Sequence, residues 1–373
     1  MTKRIGIVGL RISQLTGNPQ ETLMGNPVRS WALFQGLGRY GFETELFVEG
    51  KADVDPSLEA SYGDRLVRRR QQFLDKARNG HYDAVVICGT RIHTTLEQQE
   101  WLSDLSGAPV FLAQCYHNVA DPLPSPLVDQ IAGATFVTPR YVKRWSEDFP
   151  GTRTGIMTTG EVSRPANATE ANGDAVFVGH IHSHAIIKKI AQVAQRDSAR
   201  NFHIVTSRIK QPEAGSQDYI AFGQMADDAE RQEAFTTMLK QVGVEQSDNF
   251  KYHFLPPGHE EDLMNKVSVG MDFSWNPNWL IDNSKVPNYL SYGLNVVSQL
   301  PAPSYRFVHK FDAGAVLAHD ADGYAWQDAI QQAAELSLDR KNELRREAGA
   351  YFSWNNAVFD LASILLDYYD QHD

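Results

Sequence analysis

Short apolar runs alternate with amphipathic helical stretches along the whole of this chain, and that alternation limits the folds open to it more than any single motif. In the first half Arg4–Leu10, Glu43–Val48, Ala84–Cys88, Pro109–Ala113, Ala134–Val137 and Thr154–Met157 read as strands. Helices are expected between them over Pro27–Tyr40, Asp64–Asn79, Leu96–Leu105, Ser125–Ile131 and Tyr141–Phe149. Repetition of strand, helix, strand builds a parallel sheet covered by helices on both faces. The stretch GEVSRPANATEANG, residues 160–173, is polar and aperiodic and reads as a linker. The pattern then restarts, with strands expected at Ala175–Val178, Phe202–Ser207, Phe250–Leu255, Val269–Phe273, Asn295–Ser298 and Ala315–Ala318. Helices are expected at His184–Arg196, Ala226–Val242, Glu260–Lys266, Asn283–Tyr292 and Asp322–Ser337, then at Asp339–Gly349 and Trp354–Tyr369. A length of 373 residues exceeds what one core comfortably serves, so the expected α/β fold is two doubly wound domains in tandem.

Composition and charge narrow the function. Hydrophobic residues make up 42% and charged residues 22%, which excludes disordered and fibrous chains. No apolar run approaches the roughly 18 residues of a membrane helix, and the start MTKRIGIVGL lacks the apolar segment and cleavage site of a signal peptide. Cys88 and Cys115 sit in apolar strand-like runs and read as buried free thiols, so the expected compartment is cytoplasmic. Residues 1–160 carry 17 basic and 17 acidic side chains, so the whole net charge of −11 lies in residues 161–373. Neither half is basic, which argues against a nucleic-acid partner. Two local basic clusters, Arg65/Arg68/Arg69/Arg70 and Arg140/Lys143/Arg144, are either solvated helix faces or a face toward an anionic acceptor or the inner surface of a membrane.

Ligands of open α/β sheets bind beyond the carboxyl ends of the strands, so the loops there are where chemistry is expected. The most informative runs from Phe273 to Val297. A strand ends at Phe273, a polar and aromatic loop follows, and Asn283 or Ser284 reads as the cap of a helix that Gly293 stops. Lys285 falls in the first turn, the end where a helix dipole disfavours cations. A cation placed there points to an anionic ligand, with a diphosphate the obvious one.

Segment SKVPNYLSYGLNVVS, residues 284–298, resembles the K-x-x-E-Y-x-A-x-G-x-P-V-V segment of glycosyltransferases with the GT-B fold, of which retaining family 4 is the nearest type. Its Lys-x-x-amide form is also similar to that of the xanthan glucuronosyltransferase, an inverting relative. Val178-Gly179-His180 resembles the family's Val-Gly-Arg donor loop, Gly155–Pro165 its interdomain crossing, and Phe352-Ser353-Trp354 its C-terminal crossover. The resemblance implies two Rossmann-like domains, an acceptor domain over residues 1–160 and a nucleotide-sugar donor domain over 161–350, with a helix in 351–373 returning to the first. It also implies a glycosyltransferase that uses a nucleoside-diphosphate sugar, UDP- or GDP-linked, with no other cofactor and no metal ion. The acceptor is a glycan, a lipid-linked sugar, a protein or a small molecule.

Site residues follow from the same resemblance. Gly179, His180, Ser284, Lys285, Asn288 and Tyr289 would line the donor, Lys188 or Arg208 would supply phosphate charge, and Pro257 lies in the loop that would frame the base. Asn288 stands where the family has an acid, and the paired carboxylates of the family are absent. His117, after the fourth strand of the first half, matches a family histidine facing the donor sugar. A general base for the acceptor hydroxyl would be Asp121, with Glu161 the other nearby acid. The loop of residues 12–27 is long for a plain connector. Two other readings remain. One is a metal-dependent hydrolase using His180, His182 and His184 of GHIHSH. The other is a nucleotide-sugar binder without turnover.

Overall fold

The computed structural model describes residues 2–9, 14–15, 26–48, 50, 52–88, 100–115, 127–157, 160, 168–212, 218–255, 260–273 and 285–372. The chain divides into two compact units, Met1–Val162 with Phe352–Asp373, and Ser163–Tyr351.

In the first unit the strands are β1 (Lys3–Gly9), β2 (Gln14–Leu15), β3 (Phe42–Phe47), β4 (Asp53–Val54), β5 (Leu66–Val67), β6 (Ala84–Cys88), β7 (Val110–Cys115), β8 (Ile131–Phe136) and β9 (Arg153–Ile156). Seven of them form one parallel sheet in the order β5-β3-β1-β6-β7-β8-β9, while β2 and β4 pair separately. Strand β6 is buried along its whole length, as its unbroken run AVVIC requires of a strand covered on both faces. Helices α1 (Asn26–Gly36), α2 (Pro56–Tyr62), α3 (Arg70–Arg78) and α4 (Pro139–Asp148) belong to this unit.

The second unit holds β10 (Ala175–Val178), β11 (Phe202–Val205), β12 (Arg208–Lys210), β13 (Tyr219–Ala221), β14 (Phe250–His253), β15 (Val269–Asp272), β16 (Asn295–Gln299) and β17 (Gly314–Leu317). Its six-stranded parallel sheet runs β14-β11-β10-β15-β16-β17. The chain moves outward from β10 in one direction and from β15 in the other, so the order reverses between these two neighbours. Helices are α5 (His184–Arg196), α6 (Asp228–Gln241), α7 (Glu261–Lys266), α8 (Lys285–Ser291), α9 (Tyr305–Lys310), α10 (Gly323–Ala334) and α11 (Leu338–Tyr351). Helix α5 shows how the sequence sets these elements. Ser183 caps it by accepting the Ala185 N–H, and Ile186, Ile187, Ile190, Val193 and Ala194 bury one face against the sheet core of Phe177, Ile204 and Met271.

The last helix, α12 (Trp354–His372), belongs to the first unit. Val358, Leu361 and Leu365 join its core with Trp31, Phe34 and Phe111, and the Tyr368 ring meets Phe111 edge-on at 5.3 Å. The architecture is two Rossmann-like parallel sheets with a returning C-terminal helix, as expected. No helix among the described residues is long and apolar enough to cross a membrane.

Several local expectations are corrected. Asp64–Asn79 is not one helix: a 3-10 turn over Gly63–Arg65 leads into β5, and α3 begins only at Arg70. The apolar pair Leu66-Val67 is taken by the sheet edge, where it lies against Leu46 and Phe47 of β3, so tertiary pairing overrides helical propensity. Helix α1 tightens into a 3-10 turn at Leu37–Tyr40 and stops at Gly41, whose φ is +85°. Strand β8 starts at Ile131, three residues before its expected start. The hairpin of β12 and β13 and the helices α2 and α9 are additional to those expected. Cys88 is a buried free thiol, whereas the Cys115 side chain lies outside the described residues.

Gly270 in β15 is needed by its neighbour. A Cβ there would lie 2.3 Å from Cγ of Tyr289, which is fully buried. Gly270→Ala should therefore lower stability by about 1–3 kcal/mol, the usual result of overpacking. Urea unfolding measures this; a midpoint equal to wild type would show that the ring moves aside freely.

Candidate functional site

The order reversal between β10 and β15 opens a crevice at the carboxyl ends of these strands, the position where doubly wound sheets hold ligands. β10 ends at Val178 and β15 at Asp272. Tyr289 of α8 spans the gap between them. Its hydroxyl accepts the Val178 N–H at 2.9 Å and donates to the Met271 carbonyl at 3.2 Å. Full burial holds this phenol protonated, well above the usual range.

Lys285 stands four residues before Tyr289, on the same face of the helix. Its Nζ lies 5.3 Å from the centre of the Phe177 ring. Its chain passes over Gly179, where a Cβ would come within 2.8 Å of Lys285 Cε. Gly179 also has φ +130°, a conformation that L side chains rarely adopt. The glycine thus satisfies both the turn after β10 and the close approach of the lysine. Burial pulls the Lys285 ammonium below the ordinary lysine value, and the Asp272 carboxylate opposes that pull.

The turn after Gly179 supplies two imidazoles. His180 Nδ1 lies 3.3 Å from Ser207 Oγ, and His182 Nδ1 lies 2.7 Å from the Tyr219 hydroxyl. Burial, with Arg208, His182 and Lys285 near it, pushes His180 down to about 4. Burial, then Lys285, Arg208 and Lys210, pushes His182 down to about 4 as well. Both rings are therefore neutral near pH 7. Arg208 begins β12, and its guanidinium lies 5.0 Å from the centre of the Tyr219 ring on β13. The hairpin is anchored at its base by a bridge between Ile181 and Ile209.

The structure brings Gly179, His180, Arg208 and Lys285 together. Tyr289 is fully buried with its hydroxyl committed to backbone groups, so its part is to brace the site rather than to touch a ligand. Asn288 is half-buried on α8 and Lys188 is exposed on α5, and neither is hydrogen-bonded to the cluster among the described residues. Pro257, Ser284, His117, Asp121 and Glu161 lie outside the described residues. Helix α8 is described from Lys285 onward, and the expected cap, Asn283 or Ser284, lies outside the described residues. The three histidines of GHIHSH answer to different partners, since His184 Nε2 lies 2.6 Å from the Lys210 carbonyl oxygen. Among the described residues no three His, Cys, Asp or Glu side chains are grouped so as to hold a metal ion.

Two members of the cluster were not read from the sequence. Tyr219 is supplied by the hairpin, which has no periodicity to announce it. Asp272 ends the apolar strand VGMD, and a lone acid at a strand's carboxyl end was the available signal.

The neutral histidines have a consequence for stability. In the unfolded chain they take up protons near the ordinary value of 6.5, and in the folded chain only near 4. Between these values the unfolded state binds more protons, so stability falls as the pH falls. The melting temperature should decline through that window, and His180→Asn should make the decline shallower. An identical slope in the variant would place the His180 titration elsewhere.

No protein-family model and no curated protein sequence matches the chain. Solved structures do. A glycosyltransferase from Rickettsia africae superposes with a TM-score of 0.61 at 9% identity, covering 98% of each chain. AviGT4, a glycosyltransferase involved in avilamycin A biosynthesis, gives 0.56 at 13% identity, covering 99% of this chain and 97% of its own. HepE of Anabaena in complex with UDP-glucose gives 0.55 at 12% identity, covering 98% and 99%. What is shared at such identities is the fold, and the chain has the two-domain GT-B fold of these proteins.

Proposed function

We propose that the chain is a glycosyltransferase that moves a sugar from a nucleoside-diphosphate sugar to an acceptor hydroxyl. The observation that carries this reading is the cluster at the β10/β15 crevice. There Lys285 and Arg208 supply positive charge beside two neutral imidazoles, over a glycine that lets backbone and lysine approach each other. Such a set suits a ligand that offers only acceptor oxygens and negative charge, as a diphosphate does. HepE, similar in fold over nearly its whole length, was solved with UDP-glucose.

In this reading the bond from the anomeric carbon to the diphosphate oxygen breaks, and negative charge grows on the leaving diphosphate. Lys285 and Arg208 stabilise that charge where it develops, which lowers the barrier more than equal binding of donor and transition state would. The imidazole N–H groups of His180 and His182 can donate to the same oxygens without adding charge. The first unit would hold the acceptor, whether glycan, lipid-linked sugar, protein or small molecule. Asp121 is the proposed base for the acceptor proton and His117 the proposed neighbour of the donor sugar. The basic clusters of the first unit would allow contact with a membrane surface at the cytoplasmic face. The donor is UDP- or GDP-linked, and the cationic side chains take the part a metal ion plays in other transferases.

Lys285→Ala should weaken nucleoside-diphosphate binding by about 1–3 kcal/mol, the loss of one charge-assisted bond. Titration calorimetry with UDP and GDP reads this directly, and unchanged affinity would remove Lys285 from the site. Release of diphosphate from the sugar nucleotide should persist in EDTA. Activity abolished by the chelator and restored by a divalent ion would overturn the metal-independent reading.

A further inference from the structure

Away from Lys285, one buried acid organises two further imidazoles. Asp174 stands just ahead of β10, at the amino ends of the second sheet, and is buried. Four donors reach its carboxylate. Oδ1 accepts the Asn201 main-chain N–H at 2.8 Å, and Oδ2 accepts the side-chain amides of Asn172 at 2.8 Å and Asn201 at 3.1 Å. The fourth is His203 on β11, whose Nε2 lies 3.2 Å from Oδ2. Burial pushes the Asp174 carboxyl up, but the bonds from His203 and Asn201 outweigh it and hold the group below its ordinary value. His203 extends the line: its Nδ1 lies 2.8 Å from Nε2 of His253, which ends β14 at the carboxyl ends of the same sheet.

Counting protons along this line fixes every ring nitrogen. An ionised carboxylate only accepts, so His203 Nε2 carries a hydrogen. A neutral His203 then has a bare Nδ1, and the hydrogen of the 2.8 Å contact must sit on His253 Nε2. Neutral His253 is thereby left with a bare Nδ1, an acceptor. One added proton reverses the outer half of the line. It lands on His253 Nδ1, the Nε2 hydrogen of His253 passes to Nδ1 of His203, and the positive charge comes to rest beside Asp174. His253 ends neutral, with Nδ1 now a donor.

The pair is flanked by a charge of each sign: Asp174 ahead of β10, and Lys251 on β14, the register partner of His203. The carboxylate bonds His203 directly. Burial, then the charges of His203 and Lys251, push His253 down to about 4. The ring beside the acid is therefore the one that holds the charge.

We propose that Asp174, His203 and His253 form a proton-operated hydrogen-bond switch, in which uptake of one proton turns His253 Nδ1 from an acceptor into a donor while His203 carries the charge. Carboxyl ends of strands, where His253 stands, are where doubly wound sheets meet ligands. An N–H or O–H group meeting Nδ1 is held above the transition and refused below it. The proposal stands independently of the donor-site reading of Lys285.

Selective 15N labelling of histidine tests this on the wild-type chain, with each ring assigned through its own backbone. At about pH 8, above the ordinary histidine value, both rings should show a protonated Nε2 and a bare Nδ1. As the pH falls, His203 should gain a proton on Nδ1. In the same step His253 should exchange its pattern, Nδ1 becoming protonated and Nε2 bare. A bare Nε2 on His203 at about pH 8 overturns the proposal. So does a His253 ring that becomes doubly protonated in that step, or that keeps its bare Nδ1 through it. In Asp174→Asn the coupled step should move to lower pH by about one unit or more, as when a nearby opposite charge is removed. A step that the variant leaves in place overturns the part given to Asp174. Should Asp174→Asn fail to fold, the wild-type spectra decide alone.

Discussion

One phenol holds the second unit's crevice together. Tyr289 reaches across the point where the sheet order reverses and closes two hydrogen bonds with the main chains of Val178 and Met271. Strand ends at such a reversal have no neighbouring strand to satisfy them on the crevice side, and a buried backbone donor without a partner costs about 1–3 kcal/mol. The hydroxyl answers that need and, in doing so, fixes how α8 lies on the sheet. Gly270 makes the arrangement sterically possible by giving the ring its place. Lys285, Gly179 and Asp272 take their positions from this bracket.

The electrostatics of the crevice follow from burial more than from any single pair. Arginine and lysine side chains converge on two imidazoles that are too desolvated and too close to those cations to take up protons. The result is a site with fixed positive charge from Arg208 and Lys285 and with neutral donors beside it. An arriving anion relieves the repulsion among these groups. The buried acid at Asp272 accepts the hydroxyls of Ser298 and Ser304, and its charge offsets part of this field.

The strand pattern was legible because it is a property of residue type alone. Runs such as AVVIC and FHIV are apolar on both sides, and only a sheet covered on both faces can bury them. Lys285 stands out in segment 284–298 because a helix dipole disfavours a cation in the first turn. Leu66-Val67 was misread, because whether two apolar residues join a helix or a sheet edge depends on the free edge of β3, which lies twenty residues away in sequence. The role of Tyr289 was likewise hidden. As one letter in a motif it suggests a ligand contact, and only its burial shows that its hydroxyl is already used. The Asp272–Ser298–Ser304 group joins residues 26 and 32 positions apart, a pairing set by strand register.

The central claim is that the crevice between β10 and β15 binds the diphosphate of a sugar nucleotide. A thermal-shift comparison of UDP, GDP, ADP, dTDP and CMP, each with and without EDTA, on wild type and Lys285→Ala, tests it most directly. The account predicts that one nucleoside diphosphate raises the melting temperature selectively, that EDTA leaves the rise unchanged, and that Lys285→Ala removes most of it. No rise with any nucleotide, together with a fall in melting temperature caused by EDTA alone, would contradict it.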